Sequence, residues 1–519
     1  MPQLTIDDKT LEVAAGTTIL QAATQLGIRI PTLCYLEGYK PSTSCQVCLV
    51  KDRQRGRLLP SCATQVVDGM AIDSETDEVH AVRRTALELL FSDHVGDCLA
   101  PCYFACPAHM DIPLMLEQIG EHEVHKAIAT VKQDIALPAI LGRVCAKPCE
   151  KGCRRNAADE PVSVCDLKRF VADVDLATEE PYAPPCKPPS GKRVAIVGAG
   201  PTGLSAAYYL QQEGYHCVVF EKEGAAGGRL RVEPSEEELP PAVLEAEVAQ
   251  VFRLGAELRS GFQVRDLDQL VETYDAVLLS CGAVDAEMLD GWAVKSTPRG
   301  IEIDKDTLQT SRDGVFAAGS AIRRKSLVVR SVADGKLAAN AIHQYLSGQP
   351  ITPPEKPFSS RIGTLQPAEA VHLAATVGHA ARQLPQLGAD YSEDEAAAQS
   401  DRCLSCGCIS HGSCKLERYA IEYGADPTRF AGERKPVEVI QRPGGIRFEP
   451  QKCIKCELCI QIAAANSEPL GLTFVGRGFD VRLTVPFGHN FDEGMSRTAA
   501  ACVAACPTGA LSFARGQRS

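Results

Sequence analysis

The 519-residue sequence lacks the features of a membrane, secreted or nucleic-acid-binding protein. It contains no run of about 18 apolar residues, so no membrane span is expected. Its first residues, MPQLTIDDKT, show neither a basic segment nor an apolar one and therefore predict no secretory signal. Positive charge is in deficit, because 54 Lys and Arg stand against 66 Asp and Glu and leave a net charge of −12. This balance argues against nucleic acid or an anionic membrane as a partner.

Cysteine, in contrast, is abundant. The chain has 23 cysteines, and most of them stand in short-spaced groups. In a secreted protein such a number would indicate disulfides, whereas short spacing favours metal or cluster ligation in a reducing cytoplasm. The length and the ordinary hydrophobic content of 45% predict several globular domains.

The sequence VAIVGAGPTGLSAAYYLQQEGYHCVVFE, at residues 194–221, is organised as strand, glycine turn, helix and strand. This order predicts a dinucleotide-binding βαβ unit, in which the first glycine makes the tight turn. The second glycine lets the backbone approach a pyrophosphate, and the third lets the helix pack on the strand. The helix N-terminus then faces the phosphates, and an acid after the second strand reaches a ribose hydroxyl. The predicted contacts are Gly198, Gly200, Pro201, Thr202, Gly203, Glu221 and Lys222.

Four cysteines near the N-terminus, Cys34, Cys45, Cys48 and Cys62, have the spacing C-x10-C-x2-C-x13-C. The spacing is close to that of ferredoxin sites with four cysteines, which hold a 2Fe–2S cluster. Zinc is the alternative, although it usually takes two CxxC-like pairs and only one is present. Residues 1–78 resemble the N-terminal 2Fe–2S domain of the large peripheral subunit of complex I and of iron hydrogenases. The resemblance implies a β-grasp ferredoxin domain.

Residues 79–178 carry apolar residues at helical spacing and two further groups of cysteines. The groups are Cys98, Cys102 and Cys106, then Cys145, Cys149 and Cys153, with Cys165 further on. The surrounding sequences CPAHMDIP, GRVCAKPCEKGCRR and VCDLKRFVAD resemble the small (β) subunit of glutamate synthase. Related domains occur in dihydropyrimidine dehydrogenase and in NADH-dependent ferredoxin:NADP oxidoreductase. The resemblance implies two 4Fe–4S clusters with interleaved ligands: Cys98, Cys102 and Cys153 for one, Cys106, Cys145 and Cys149 for the other.

The fourth ligands of these two clusters depart from the family pattern. The family's leading cysteine is absent, and His94 stands near its place in a sequence, HVGDC, that is also similar to the His-ligated cluster of complex I. His94 is therefore either a ligand or a polar surface residue. The family's Glu or Gln is Lys168, whose ammonium cannot ligate. Cys165, one helical turn earlier, is the predicted substitute, with a buried structural thiol as the alternative.

Residues 190–350 resemble the FAD-binding domain of the same family in GGRL, YDAVLLSCGA and DGVFAAGS. The resemblance implies further flavin contacts at Gly228, Arg229, Gly282, Gly319 and Ser320, the last of which replaces the family's Asp. The family also inserts a second nucleotide domain of over a hundred residues between the last two motifs. Here only about 30 residues separate them, and no second GxGxxG occurs. The usual NAD(P)H site is therefore predicted to be missing.

Two more cysteine motifs follow in the C-terminal third. Residues 360–430 are expected to form a helical segment (368–398) followed by the motif C-x2-C-x-C-x5-C, which suits one 4Fe–4S cluster or zinc. Residues 440–519 contain CxxCxxC and a distant Cys-Pro, the pattern of one bacterial-ferredoxin 4Fe–4S cluster. The two ligand sets are Cys403, Cys406, Cys408 and Cys414, and Cys453, Cys456, Cys459 and Cys506. The cysteines without ligand spacing are Cys186, Cys217, Cys281 and Cys502.

Together these patterns predict a multidomain α/β and α+β protein: a β-grasp 2Fe–2S ferredoxin, a helical domain with two 4Fe–4S clusters, a Rossmann-like FAD domain and a C-terminal ferredoxin-like domain. The main hypothesis is an electron-transfer subunit of a larger cytoplasmic oxidoreductase, because flavin splits hydride equivalents into the single electrons that clusters carry. The expected partners are a complex-I-like NADH/FMN subunit and a hydrogenase, formate dehydrogenase, transhydrogenase or ferredoxin. No residue is predicted to act as a catalytic acid, base or nucleophile. The alternatives are a self-sufficient NAD(P)H-dependent reductase and a scaffold with a vestigial flavin site.

Overall fold

The structure of the protein is a computed structural model. It describes residues 1–323, 326–378, 380–386, 389–430, 432–442 and 445–514. Contacts divide the chain into two compact units. The first unit consists of residues 1–100, 357–376 and 404–519, and the second of residues 101–356 and 377–403. No helix in the described part of the chain is long and apolar enough to cross a membrane.

The N-terminal part of the first unit is a mixed five-stranded sheet with the order β2-β1-β5-β3-β4, in which only β1 and β5 run parallel. Its elements are β1 Gln3–Ile6, β2 Lys9–Glu12, α1 Ile19–Gln25, β3 Leu49–Asp52, β4 Arg57–Pro60 and β5 Met70–Asp73. Thr18 and Gln21 form a capping box that starts α1. The buried face of α1 packs on the sheet through Ile19 and Ala22.

Residues 77–176 are helical, as the apolar spacing predicts. The helices are α2 Asp77–Asp93, α3 Pro101–Ala105, α4 Ile112–Gly120, α5 Val124–Asp134, α6 Pro138–Val144, α7 Pro148–Lys151 and α8 Val164–Leu176. Helix α2 belongs to the first unit and the other six to the second. Helices α3 and α7, which carry Cys102 and Cys149, pack against each other, and α8 packs on α5 and α6.

A parallel five-stranded sheet with the order β12-β9-β6-β7-β8 forms the centre of the second unit. Its first part contains β6 Arg193–Val197, α9 Pro201–Gln212, β7 His216–Phe220, α10 Pro241–Arg253, β8 Glu257–Arg259 and α11 Asp268–Thr273. Its second part contains β9 Ala276–Leu279, α12 Ala286–Trp292, β10 Ser296–Thr297, β11 Gly300–Ile301, β12 Val315–Ala317 and α13 Val328–Leu346. Between β9 and β12, a stretch whose backbone is described throughout, lie only α12, β10 and β11.

The remaining elements are short. They are α14 Pro367–Ala374, α15 Glu393–Ser400, α16 Lys415–Tyr423, β13 Ile440–Gln441, β14 Ile446–Phe448, α17 Leu458–Ala465, β15 Thr473–Val475, β16 Arg482–Thr484, α18 Phe491–Gly494, α19 Ala499–Ala505 and β17 Leu511–Phe513. Strands β13, β14 and β17 form one antiparallel sheet. The helical segment expected at 368–398 is wrong as a single helix, because α14 ends before Gly378 and α15 starts after Pro385. Three of its positions, 379, 387 and 388, lie outside the described residues.

Candidate metal centres and dinucleotide site

The four N-terminal cysteines lie together as two pairs. The Sγ atoms of Cys34 and Cys45 are 3.3 Å apart, and those of Cys48 and Cys62 are 3.4 Å apart. All four side chains are buried. Within the pairs, the hydrogen bond lowers the pKa of Cys34 to about 6 and that of Cys48 to about 7, and it raises the pKa of each partner. Two buried thiol pairs on one loop system fit a cluster with two irons.

The four C-terminal cysteines, Cys453, Cys456, Cys459 and Cys506, line one recess of about 390 Å³. Burial raises the pKa of Cys453 to about 11 and that of Cys459 well above its usual value, and charges on the neighbouring thiols add to this. Such thiols keep their protons at neutral pH and release them when they ligate a metal. We name these four residues the C-terminal thiol set. They fit the single cluster that the ferredoxin-like spacing predicts.

Within the first unit, the C-terminal thiol set lies close to two other groups of cysteines. Cys34 and Cys456 belong to one buried apolar cluster, and burial raises the pKa of Cys456, with a small further contribution from the charge on Cys34. On another side, the Sγ of Cys414 lies 3.4 Å from the carbonyl oxygen of Pro507, the residue after Cys506. Three predicted metal centres of this unit are therefore neighbours, with the C-terminal thiol set between the other two.

His94 is buried and points one ring nitrogen at the backbone. Its Nδ1 lies 2.9 Å from the carbonyl oxygen of Lys452, and burial lowers its pKa to about 4. A carbonyl oxygen only accepts hydrogen bonds, so Nδ1 carries the proton and Nε2 keeps its lone pair. This is the tautomer that a metal-ligating histidine takes when a second-shell carbonyl orients it. The geometry argues against the surface-residue interpretation, since His94 is only 7% exposed.

Cys98 lies beside cysteines of the motif at 403–414. The backbone N–H of Cys408 donates to the carbonyl of Cys98 at 3.1 Å, and the charges on Cys408 and Glu417 help to raise the pKa of Cys98, after burial. In the second unit, the charge on Cys403 contributes to the raised pKa of Cys153, whose main cause is burial. These contacts favour grouping Cys98 with Cys408 and Cys153 with Cys403. The sequence instead suggests grouping Cys98 with Cys153 and Cys403 with Cys408.

A third group of thiols surrounds the start of α8. Hydrogen bonds link Cys165 to Cys145 and to Cys149, and all three lie close enough to Lys168 for their charges to raise its pKa. Cys106 acts on Lys168 in the same way. We name Cys106, Cys145, Cys149 and Cys165 the α8 thiol set. The structure thus brings Cys165 to the predicted cluster ligands.

A buried network fixes the backbone at Cys165. The Glu150 carboxylate accepts the N–H of Cys165 at 2.9 Å with one oxygen. Its other oxygen accepts a hydrogen bond from Arg382, also at 2.9 Å, and Arg382 donates to Ser163. Sequence reasoning did not identify Glu150 or Arg382. Glu150 stands between two predicted ligands, Cys149 and Cys153, and that position was the only signal.

The glycine turn between β6 and α9 has the geometry of a dinucleotide site. A Cβ on Gly203 would lie 2.0 Å from the Gly198 carbonyl oxygen, so close packing of helix and strand requires glycine there. Gly198 has a φ of +102° and lies against the backbone of Cys281. A Cβ on Gly200, in contrast, would meet no protein atom. The chain's own packing gives no reason for glycine at that position, whereas a ligand approaching the turn does.

Other predicted dinucleotide contacts lie around this turn. The carboxylate of Glu221 accepts the N–H of Ala199 at 2.8 Å and keeps further lone pairs for a ribose hydroxyl. A Cβ on Gly319 would lie 2.3 Å from the Thr202 Oγ1, which places the β12 motif against the start of α9. The other predicted contacts are exposed or half-buried: Lys222, Gly228, Arg229, Gly282 and Ser320. Arg229 forms an ion pair with Glu233.

The cysteines without ligand spacing are scattered. Cys217 is buried in β7, Cys281 follows β9 and Cys186 is exposed. The buried Cys502 donates from its Sγ to the Cys459 carbonyl at 3.6 Å. Among the residues that the structure describes, no three His, Cys, Asp or Glu side chains converge as ligands of a single metal ion.

Three stretches of the chain match known protein families. Residues 2–77 match a 2Fe–2S iron–sulfur cluster binding domain. Residues 92–180 match domain II of dihydropyrimidine dehydrogenase, a 4Fe–4S cluster domain, and residues 196–257 match an NAD(P)-binding Rossmann-like domain. The chain thus combines a 2Fe–2S domain, a 4Fe–4S domain and a Rossmann-like nucleotide-binding domain. The predicted 2Fe–2S, 4Fe–4S and Rossmann-like domains of these three regions are confirmed.

Curated relatives are named as subunits of redox enzymes. The NADP⁺-dependent formate dehydrogenase subunit beta of Moorella thermoacetica is 40% identical over 208 residues, which cover 35% of this chain and 29% of the relative. The NADPH-Fe(3+) oxidoreductase subunit beta of Geobacter sulfurreducens is 38% identical, covering 36% and 28%. The NAD-dependent dihydropyrimidine dehydrogenase subunit PreT of Salmonella typhimurium is 34% identical, covering 41% and 52%. The matched parts span about half of the relatives' length or less.

Proposed function

We propose that this chain is an electron-transfer subunit of a multisubunit cytoplasmic flavin and iron–sulfur oxidoreductase. It would pass electrons between an NADH-oxidising FMN subunit and a second redox partner, such as a hydrogenase, formate dehydrogenase, transhydrogenase or ferredoxin. The proposed cofactors are one FAD, one 2Fe–2S cluster and about four 4Fe–4S clusters. When bound, flavin exchanges electron pairs with single electrons and the clusters carry single electrons. The 23 cysteines all lie in the described part of the chain and form no disulfide bond, which fits a reducing compartment.

The observation that carries the proposal is the continuity of the thiol groups within each unit. In the first unit the N-terminal cysteines, the C-terminal thiol set and the group containing Cys98 are neighbours. In the second unit one buried core contains Cys106, Cys149 and Cys403 together with Ala199 of the glycine turn. Each unit therefore holds its candidate centres in one packed body, which is the arrangement that a relay requires.

The residues of this chain would bind the centres, orient them and exclude water. For one cluster in the first unit the proposed ligands are His94, Cys98, Cys408 and Cys414. Cys102, Cys153 and Cys403, all in the second unit, are proposed for another. Cys406 is a predicted ligand that belongs to neither of these two groups. The thiol sets at α8 and at the C-terminus and the N-terminal pairs complete the proposed sites.

The second candidate is an NAD(P)H-dependent reductase that works alone. It is favoured by the match of residues 196–257 to an NAD(P)-binding domain, so the single Rossmann-like site would take the nicotinamide nucleotide itself. Against it stands the short stretch between β9 and β12, which holds only α12, β10 and β11. The two candidates differ in what occupies the glycine turn.

The test is anaerobic reduction of the purified full chain, followed through its visible absorbance. We expect bleaching by dithionite, none by NADH or NADPH, and release of FAD on denaturation. Prompt bleaching by either nucleotide would contradict the relay and support the second candidate. Absence of both flavin and iron from protein matured in cells able to supply them would contradict both and support a vestigial scaffold.

A further inference from the structure

Lys168 is a buried lysine that lies among cysteine side chains. It lies one helical turn after Cys165 on α8, so the two side chains share one face of the helix. Its side chain is only 3% exposed. Another buried lysine of the same unit, Lys132, has an ordinary partner, since its Nζ lies 2.7 Å from the Asp175 carboxylate. Lys168 faces the α8 thiol set instead.

The charges around Lys168 indicate what its partner is. Burial disfavours the charge on this ammonium, and the groups close enough to interact with it are the thiols of Cys165, Cys145, Cys149 and Cys106. Hydrogen bonding to Cys165 and burial raise the pKa of Cys145, and the nearby Lys168 ammonium opposes that rise. Neutral thiols would leave a buried ammonium uncompensated, which is costly. Four thiolates around an iron–sulfur cluster carry the negative charge that this position requires, so the residues present fit such a cluster.

We propose that Lys168 is the counter-cation of the 4Fe–4S cluster held by the α8 thiol set and that it favours the reduced state of that cluster. One-electron reduction adds one negative charge to the site, and a fixed ammonium stabilises that charge in a medium of low dielectric constant. Lys168 therefore makes this site a better electron acceptor than its four cysteines alone. The proposal rests on the proposed function in that it requires a cluster at this site.

The test uses the full-length, anaerobically purified protein and a redox titration followed by electron paramagnetic resonance. Cys165→Ser identifies the signal of the α8 site, because it removes one of the four thiols. Lys168→Met removes the charge without introducing the oxygen ligand that Glu or Gln supplies at this position in the family, and Lys168→Arg keeps the charge. Lys151→Met is the matched control: it removes a lysine charge two residues after Cys149, but that side chain is exposed and screened by water.

For Lys168→Met we expect the signal identified by Cys165→Ser to become harder to reduce by at least tenfold at a given potential, which is a midpoint lower by 59 mV. Lys168→Arg and Lys151→Met are expected to leave the midpoint near that of the wild type. If Lys168→Met loses this cluster's iron while Lys168→Arg keeps it, the requirement for a positive charge still holds. An unshifted midpoint with full iron content in Lys168→Met, or loss of iron in Lys168→Arg as well, would overturn the role of Lys168 as counter-cation. If Cys165→Ser changes neither signal nor iron content, no cluster is ligated by the α8 thiol set, and the premise taken from the proposed function fails instead.

Discussion

At the scale of single residues, the three glycines of the turn after β6 have different tasks. Gly198 and Gly203 are required by the protein itself, because a side chain at either would meet backbone atoms at 2.5 Å or less. Gly200 has ordinary φ and ψ angles of −78° and −176° and open space at its Cβ position. Only its proposed ligand needs it to be glycine.

Replacement of Gly200 by Ala is therefore expected to leave folding intact and to weaken flavin binding by about tenfold or more, roughly 1.4 kcal/mol. The measurement is the flavin released per purified protein and its Kd on reconstitution. Gly224→Ala, at an exposed glycine outside the turn with equally open space, is the control and should bind as the wild type does. Gly203→Ala should fail earlier, by loss of folded protein. Normal flavin affinity in Gly200→Ala would contradict the proposed dinucleotide approach.

At the scale of elements, Glu247 of α10 ties the Rossmann-like domain to α6. Its two carboxylate oxygens accept the N–H groups of Ala139 and Ile140 at 2.6 and 2.7 Å. These are the first free N–H groups of α6, where an acidic partner is favourable. Burial nevertheless raises the pKa of Glu247 to about 7. The folded state thus binds a proton more tightly here than the unfolded state does.

The sign of the resulting pH dependence follows from this raised pKa. Between about pH 4.5 and 7 the folded state holds more protons at Glu247, so this residue's contribution to stability falls as pH rises through that window. The slope is about 1 kcal/mol per pH unit at most. Thermal unfolding of the wild type and of Glu247→Gln at several pH values measures it. The free energy of unfolding of the wild type, relative to that of Glu247→Gln, should fall as pH rises. A relative stability independent of pH would contradict the raised pKa.

Two cysteine motifs are divided between the units, although each is continuous in sequence. One division falls between Cys98 and Cys102, the other between Cys403 and Cys406. Ligand spacing within a motif predicted that Cys403, Cys406, Cys408 and Cys414 wrap one cluster. Spacing carries no information about a division of the chain between two packed bodies, so the sequence offers only the grouping by motif.

The proposed grouping of Cys98 with Cys408 and of Cys153 with Cys403 predicts which substitutions perturb the same cluster. Cys98→Ser and Cys408→Ser are expected to perturb one common cluster signal, and Cys153→Ser and Cys403→Ser a different one. Electron paramagnetic resonance of the reduced variants, with iron content, checks this. Cys186→Ser, at an exposed thiol, is the control and should change neither. If Cys403→Ser and Cys408→Ser perturb the same signal, the grouping by sequence order is correct.

At the scale of the whole molecule, the sequence predicted the kinds of site better than the residues that surround each site. Glycine spacing and strand hydrophobicity located β6, α9 and β7 because these patterns are local. The cysteine residues themselves were also found by local spacing. The carbonyl that orients His94 and the carboxylate that holds Cys165 come from residues with no recognisable motif. Such contacts depend on tertiary packing, which periodicity does not encode.

The first unit is discontinuous along the chain, and this has a consequence for biosynthesis. Its N-terminal cysteines are all present once residue 62 has been made, but Cys98 gains its neighbour Cys408 only after the whole second unit has been synthesised. At about 5–20 residues per second, that interval is on the order of tens of seconds. During it Cys98 stands without Cys408 and is open to oxidation or to the wrong metal, whereas the four N-terminal cysteines already have one another. We therefore expect the proposed cluster at Cys98 to be assembled only after the motif at 403–414 has been made, while the N-terminal set can receive iron and sulfide earlier.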